Sequence, residues 1–138
     1  MIYINMTRRL LLFLPFAAIC RAADPARDVI DVITELAASL SAGNVSSFLA
    51  TFDPKMPGYA DLRANVTALI AEGDVQCFID PVENEGDDHI RTLQLQWTLR
   101  AASSREQLVK CHLEKQSNKW RITAFDPLTL FAPTSKNP

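Results

Sequence analysis

Few side chains in this sequence are placed to do acid–base or metal chemistry, and each has a competing structural use. Asp80 closes the alternating stretch Val75–Ile79, opposite in alternation to Cys77 and Ile79. It has the chemistry of a general base, but an aspartate before Pro81 also starts a turn. His112 alternates with Cys111 and Leu113, on the face shared by Lys110 and Glu114. It is the second candidate base, and its charged neighbours equally fit an exposed or interfacial imidazole, because no partner stands at ligand spacing. Asp87-Asp88-His89 offers three metal-ligand types in a row. That spacing is nonspecific and a solvated turn accounts for it. With only four glycines there is no phosphate-cradling loop, and neither a nucleophile elbow nor a Ser-His-Asp order appears. No metal and no cofactor is expected.

The elements that must position these residues are strands. Leu93-Gln94-Leu95-Gln96-Trp97-Thr98-Leu99 alternates apolar and polar over seven residues. A side-chain period of two puts the three leucines and Trp97 on one face and Gln94, Gln96 and Thr98 on the other, as in a half-buried antiparallel strand. Around it, the spacing predicts a strand over Val75–Asp80 and a turn-rich acidic run from Pro81 to Asp88. A long strand from about His89 to Arg100 follows, then one over Glu106–Lys115 and one over Lys119–Phe125. Short polar turns between them favour pairing of consecutive strands. On the last strand Trp120, Ile122 and Ala124 are expected to share the apolar face, leaving Leu108 and Phe125 as apolar points on the polar one. Leu128, Leu130 and Phe131 are expected to pack back on the sheet before a polar tail, residues 132–138.

Helical spacing precedes the strands. Asp24-Pro25 caps a helix whose stripe is Val29, Ile33, Leu36 and Leu40, closed by Gly43. Asn44 caps a short second helix through Phe52. The loop Asp53–Tyr59, with two prolines and a glycine, leads into a third helix over Ala60–Glu72. Three helices and then a four-strand meander make an α+β domain with the helices on one face of the sheet.

Residues 1–22 have the layout of an export signal: Arg8-Arg9, an apolar run from Leu10 to Ile19, and alanine at the end of a cut after Ala22. The run is shorter than the roughly 20 residues that span a bilayer, so no stable membrane insertion is expected after cleavage. The paired arginines also fit the twin-arginine route, and the export route stays open. The expected location is periplasmic or secreted, from a bacterial cell, with one domain over residues 23–131. Removing Arg8, Arg9 and Arg21 leaves 11 basic against 16 acidic side chains, a net of −5. No basic stripe is present, so a nucleic-acid partner has no electrostatic footprint. Two cysteines remain, Cys77 and Cys111. In a simple meander they stand two strand spacings apart, about 9–10 Å, against the roughly 7 Å a disulfide tolerates. Two free thiols are expected.

Two motifs carry a resemblance. Gly43-Asn44 between the opening helices, with Phe48-Leu49-Ala50-Thr51-Phe52-Asp53 after it, resembles the nuclear transport factor 2-like superfamily. Asn118-Lys119-Trp120-Arg121-Ile122-Thr123-Ala124-Phe125-Asp126 is similar to the last strand of those domains. The resemblance covers about Ala26 to Phe131. It implies a cystatin-like, cone-shaped half-barrel whose curved sheet wraps the first helix around a central pocket. Leu36, Leu40, Phe52, Leu95, Trp97 and Trp120 are the walls expected for such a pocket. The superfamily includes ketosteroid isomerases and SnoaL-like cyclases. The isomerases resemble one another in a tyrosine near the end of the first helix, where this chain offers Thr34, Ser39 and Ser41 instead.

Three functions follow as expectations. The first is an exported, non-enzymatic domain that binds a small apolar ligand or a protein partner in or around the cone. The second is a SnoaL- or isomerase-like enzyme with Asp80 or His112 as acid/base. The third is a pure interaction module of the inhibitor or immunity type. The mixed outer face, with Gln94, Gln96, Thr98, Lys110, His112, Arg121 and Thr123, suits a two-fold self-contact, and dimers through that face are also what the resemblance implies. A homodimer is expected.

Overall fold

Asp24 starts the first helix as its residue type dictates. Its side-chain oxygen accepts from the backbone N–H of Arg27 at 3.2 Å, and Pro25 follows where no N–H is required. The computed structural model describes residues 24–133; the expected leader, residues 1–22, and the tail from 134 onward lie outside them. Helix α1, Pro25–Ser41, buries Val29, Ile33, Leu36 and Leu40 along one stripe. Helix α2, Val45–Ala50, is capped by Asn44, whose side chain accepts from Ser47 N at 3.0 Å. Helix α3, Tyr59–Glu72, buries Leu62, Val66 and Leu69. It starts at Gly58, which holds φ +84°, and a Cβ there would stand 2.6 Å from Leu128 Cδ1. Only glycine meets both conditions without strain.

Strands β1 (Gln76–Gly86), β2 (Ile90–Arg100), β3 (Ser104–Gln116) and β4 (Lys119–Asp126) pair antiparallel in chain order, as one curved, unclosed sheet. The expected α+β layout is the observed one. On β2 the alternation is complete: Leu93, Leu95, Trp97 and Leu99 are fully buried, while Gln94, Gln96 and Thr98 are half-buried on the other side. Cys77 lies opposite Leu99, and Cys111 opposite Leu93. The two sulfurs are therefore separated both across and along the sheet, and both thiols are free.

Two bulges correct the strand reading. Pro81–Gly86 continues β1 instead of turning, because the register slips by one residue between Pro81 and Glu83 and pairing resumes at Glu83–Gln94. Pro81 is tolerated because β1 is an edge strand, where a missing N–H costs no ladder bond. On β4 the register slips where His112 faces Ala124 and Leu113 faces Ile122. Thr123 is the extra residue, so Ala124 is exposed and Phe125 is buried, the reverse of the expected faces. The slip sends a phenyl ring, rather than a methyl, into the core.

The β4 edge of the sheet is bridged at one residue. Thr51 O accepts from Ile122 N at 2.8 Å and Asp53 N donates to Ile122 O at 2.9 Å, a short parallel bridge between Phe52 and Ile122. This pairs backbone that an open edge would leave free. Asp53 also accepts from Gln116 Nε2 at 3.0 Å and from Lys55 N at 2.9 Å, and these bonds hold its carboxyl below the usual range. After β4, Leu128–Phe131 forms a 3-10 turn with Leu130 and Phe131 buried, as expected for a return to the sheet. Arg105 Nη1 donates to Leu130 O at 2.7 Å and fixes that turn. Pro133, expected in the tail, is buried.

Candidate functional site

The concave side of the sheet is where this architecture places a pocket, and aromatic rings occupy it. Phe131 comes from the C-terminal turn and packs 5.2 Å from Phe48 of α2, 5.5 Å from Trp97 of β2 and 5.1 Å from Phe125 of β4, centroid to centroid. Phe52 completes the group, 5.2 Å from Phe48 and 6.0 Å from Phe125. Most of these pairs meet edge to face or tilted, the geometry that the ring quadrupole favours. The group draws on α2, two strands and the C-terminal turn, so it ties the layers together.

Five of the six expected wall residues, Leu36, Leu40, Phe52, Leu95 and Trp97, are fully buried side chains of this core. Trp120 is the exception: it reaches the surface and lines a groove on the helical side. Among the described residues, Arg91 is the one charged side chain that is buried. Its Nε donates to Asn84 Oδ1 at 2.9 Å, its Nη2 to Asn84 O at 3.2 Å and its Nη1 to Asp87 O at 3.3 Å. All three acceptors are neutral, and none is positioned as a base.

Asp80 and His112 both stand on the outer face. Asp80 pairs with Gln96 across the ladder and is exposed. His112 pairs with Thr92 and Ala124 and is half-exposed. Its Nδ1 lies 3.2 Å from Thr92 Oγ1 and its Nε2 3.5 Å from Glu114 Oε2. With the whole sheet between them and the interior, neither can serve as acid or base there.

The Asp87, Asp88 and His89 donor atoms lie within 4.8 Å of one another, all exposed. Asp87 Oδ1 already accepts from the backbone N–H groups of His89 and Ile90 at 2.8 Å each, which holds its carboxyl below the usual range. His89 Nδ1 lies 2.8 Å from Asp88 Oδ1. These contacts close the β1–β2 hairpin. Gly86 completes the turn at φ +140°, where a Cβ would collide with Ile90 O and Arg91.

Burial governs the thiols. Cys77, half-buried beside α1, is pushed up to about 11 by desolvation, partly offset by the Trp97 indole N–H and the Ser41 hydroxyl beside it. Cys111, in the core, is pushed up to about 12 by desolvation alone. Both sulfurs are protonated at neutral pH and poor nucleophiles. No helix among the described residues is long and apolar enough to cross a membrane.

Leu108 is an apolar point of the polar face, as expected from the sequence; Phe78, Ile90 and an unassigned groove were not marked there. Phe78 and Leu108 are 52% and 51% exposed on the outer face, and Ile90 is 46% exposed near its end. The strand alternation marks all three. The groove, about 400 Å3, lies between α1, α2 and the start of β4. Val32, Glu35 and Ser39 recur at helical spacing on one wall, and Ser47 and Thr51 on another. Only knowing that α1 and α2 pack side by side would have joined the two sets.

No protein-family model matches this chain, and no curated protein does. Solved structures do. A nuclear transport factor 2-like protein of unknown function from Shewanella oneidensis superposes with a TM-score of 0.62, over 74% of this chain and 97% of the other, at 11% identity. A Nostoc punctiforme protein of unknown function with a cystatin-like fold gives 0.59 over 73% and 90%, at 18% identity. A nuclear transport factor 2-like protein with a cystatin-like fold from Novosphingobium aromaticivorans gives 0.58 over 80% and 84%, at 12% identity. The likeness is one of fold.

Proposed function

From a chain with the nuclear transport factor 2-like fold and an aromatic-filled interior, we propose an exported, non-catalytic association domain that works as a homodimer through the outer face of its sheet. The observation that supports it most is the placement of Phe78, Leu108 and Ile90. Each leaves about half of a large apolar side chain in water on one sheet surface, where the fold needs none of them. Phe78 and Leu108 flank β2 beside Thr98 and Gln96, with Ile90 farther along the same face, and exposed apolar side chains gathered on one sheet surface suit an interaction site. A flat face used twice, related by a two-fold axis, buries each such residue against the partner's copy of the same surface.

The polar residues of the face suit the same use. Lys110 faces Asp126 on one neighbouring strand and Gln94 on the other, and Thr92 and His112 are joined by a hydrogen bond. They supply polar contacts around the apolar residues, and Asp80, in the same ladder row as Gln96 and Leu108, is the charge such a contact must accommodate. An acid–base reading finds no support, because Asp80 and His112 share this outer surface and the interior holds rings. A small apolar ligand in the cone would require Phe131 to withdraw with its turn.

Substituting Leu108→Asp tests the proposal. It puts a carboxylate on the outer face without touching the core, so the chain should fold and sediment as a monomer. An unchanged dimer mass for Leu108→Asp would refute the choice of face.

A further inference from the structure

We infer that two copies of this chain meet by seating Phe78 of each in a hollow on the outer face of the other. The inference rests on self-association through that face and adds the register in which the copies meet. The hollow, about 370 Å3, opens where β4 ends, lined by Leu108, Lys110, Asp126 and Pro127 with Gln94 and Gln107. The knob is Phe78 on the edge strand β1, 52% exposed. Arg100 covers one side of it, with the guanidinium carbon 5.1 Å from the ring centroid. Within one copy knob and hollow cannot meet, because β2 stands between β1 and β3. A ring left in water and a hollow floored by Leu108, itself 51% exposed, each lack what a second copy supplies.

A two-fold axis lying in the interface carries knob to hollow and hollow to knob, so one match guarantees the second. That axis crosses the face between them, beside Gln96, which pairs with Asp80 on β1 and with Leu108 on β3. Gln96 then meets its own copy, and an amide, being donor and acceptor at once, can bond to itself there. The charges agree with the same register. Asp80 follows Phe78 on the outer face of β1, and Lys110 follows Leu108 on that of β3. Arg100 stands at the ring and Asp126 at the hollow. Among the described residues none of these four forms an ion pair within its own chain. With the ring seated, Asp80 comes to the partner's Lys110 and Arg100 to the partner's Asp126. Opposite charges brought together fix a register, and like charges exclude the wrong one. An axis across the strands would instead lay β1 on its own copy, with the exposed Asp80, Glu83 and Glu85 facing their like.

The test is sedimentation equilibrium of the mature chain carrying Asp80→Lys or Lys110→Glu, and of an equimolar mixture of the two variants. Both substitutions are on exposed side chains, and circular dichroism checks the fold. Each reversal sets like charges together at two symmetric places and should weaken self-association by about tenfold or more. In the mixture every reversed charge meets its complement, so the dimer mass should return. Phe78→Ala should also weaken the dimer by about tenfold or more, as loss of an aromatic anchor does. The register is overturned if the reversed variants dimerise like the parent, if mixing them restores nothing, or if Phe78→Ala leaves the dimer unchanged. In those cases a monomeric Leu108→Asp still upholds the face, whereas a parent that stays a single chain at every concentration removes both.

Discussion

Arg91 Nε donates to Asn84 Oδ1 at 2.9 Å, while the other end of the same amide, Nδ2, donates to Ala26 O at 2.8 Å. One side chain thus joins a buried guanidinium on β2 to the first turn of α1. Among the described residues no carboxylate pairs with Arg91, so Asn84 carries most of the load of keeping that charge inside. Asn84→Ala leaves the buried Arg91 Nε–H without its acceptor and removes the tie to Ala26 O. The expected cost is about 2–3 kcal/mol in urea unfolding. Adding Arg91→Met to Asn84→Ala should recover part of it, because an apolar replacement removes the unpaired charge. A loss below about 0.5 kcal/mol for the single variant would show that the amide is dispensable.

Phe131 is the ring that closes the interior, and its removal leaves a void among Phe48, Trp97 and Phe125. Phe131→Ala is expected to cost about 3–5 kcal/mol. Because Trp97 meets Phe131 edge to face at 5.5 Å, the variant should also change tryptophan fluorescence. Small apolar molecules should then raise its melting temperature and leave the parent's alone. If the parent takes them up equally well, the interior is open without help and the apolar-ligand reading gains.

The two thiols predict an alkaline limit. Their ordinary value is 9.0, while burial raises Cys77 to about 11 and Cys111 to about 12. A raised folded-state value means that the folded chain holds its protons longer, so the stabilisation is complete below pH 9 and drains away between about 9 and 12. Each thiol removes about 1.4 kcal/mol per pH unit within its own window. The Cys77→Ser, Cys111→Ala double variant should therefore lose stability less steeply above pH 9 than the parent. At neutral pH, alkylation should be slow at both, with Cys77 ahead of Cys111 because it is only half-buried. Intact mass should show no bridge. A parent and variant with parallel alkaline slopes would contradict the assignment.

The strand order, the helix stripes and the free thiols were legible because each rests on a local period: two residues for β2, 3.6 for α1, and the strand spacing for the cysteines. What failed was register. Thr123 and Val82 each add one residue to a strand, and nothing in a single sequence marks where a ladder slips. Ala124 and Phe125 exchanged faces for that reason, and Pro81–Gly86 looked like a turn because proline and acids are turn residues away from a sheet edge. The site was less legible than the fold. Asp80 and His112 drew notice by type, but type carries no information about which side of the sheet is concave. The groove that Glu35 and Lys119 line joins residues 84 positions apart, beyond the reach of spacing.

Sedimentation equilibrium of residues 23–138 across the micromolar range tests the central claim most directly. A dimer mass, reduced to that of one chain by Leu108→Asp with the fold intact by circular dichroism, is the predicted result. A single-chain mass for the parent at every concentration would contradict it.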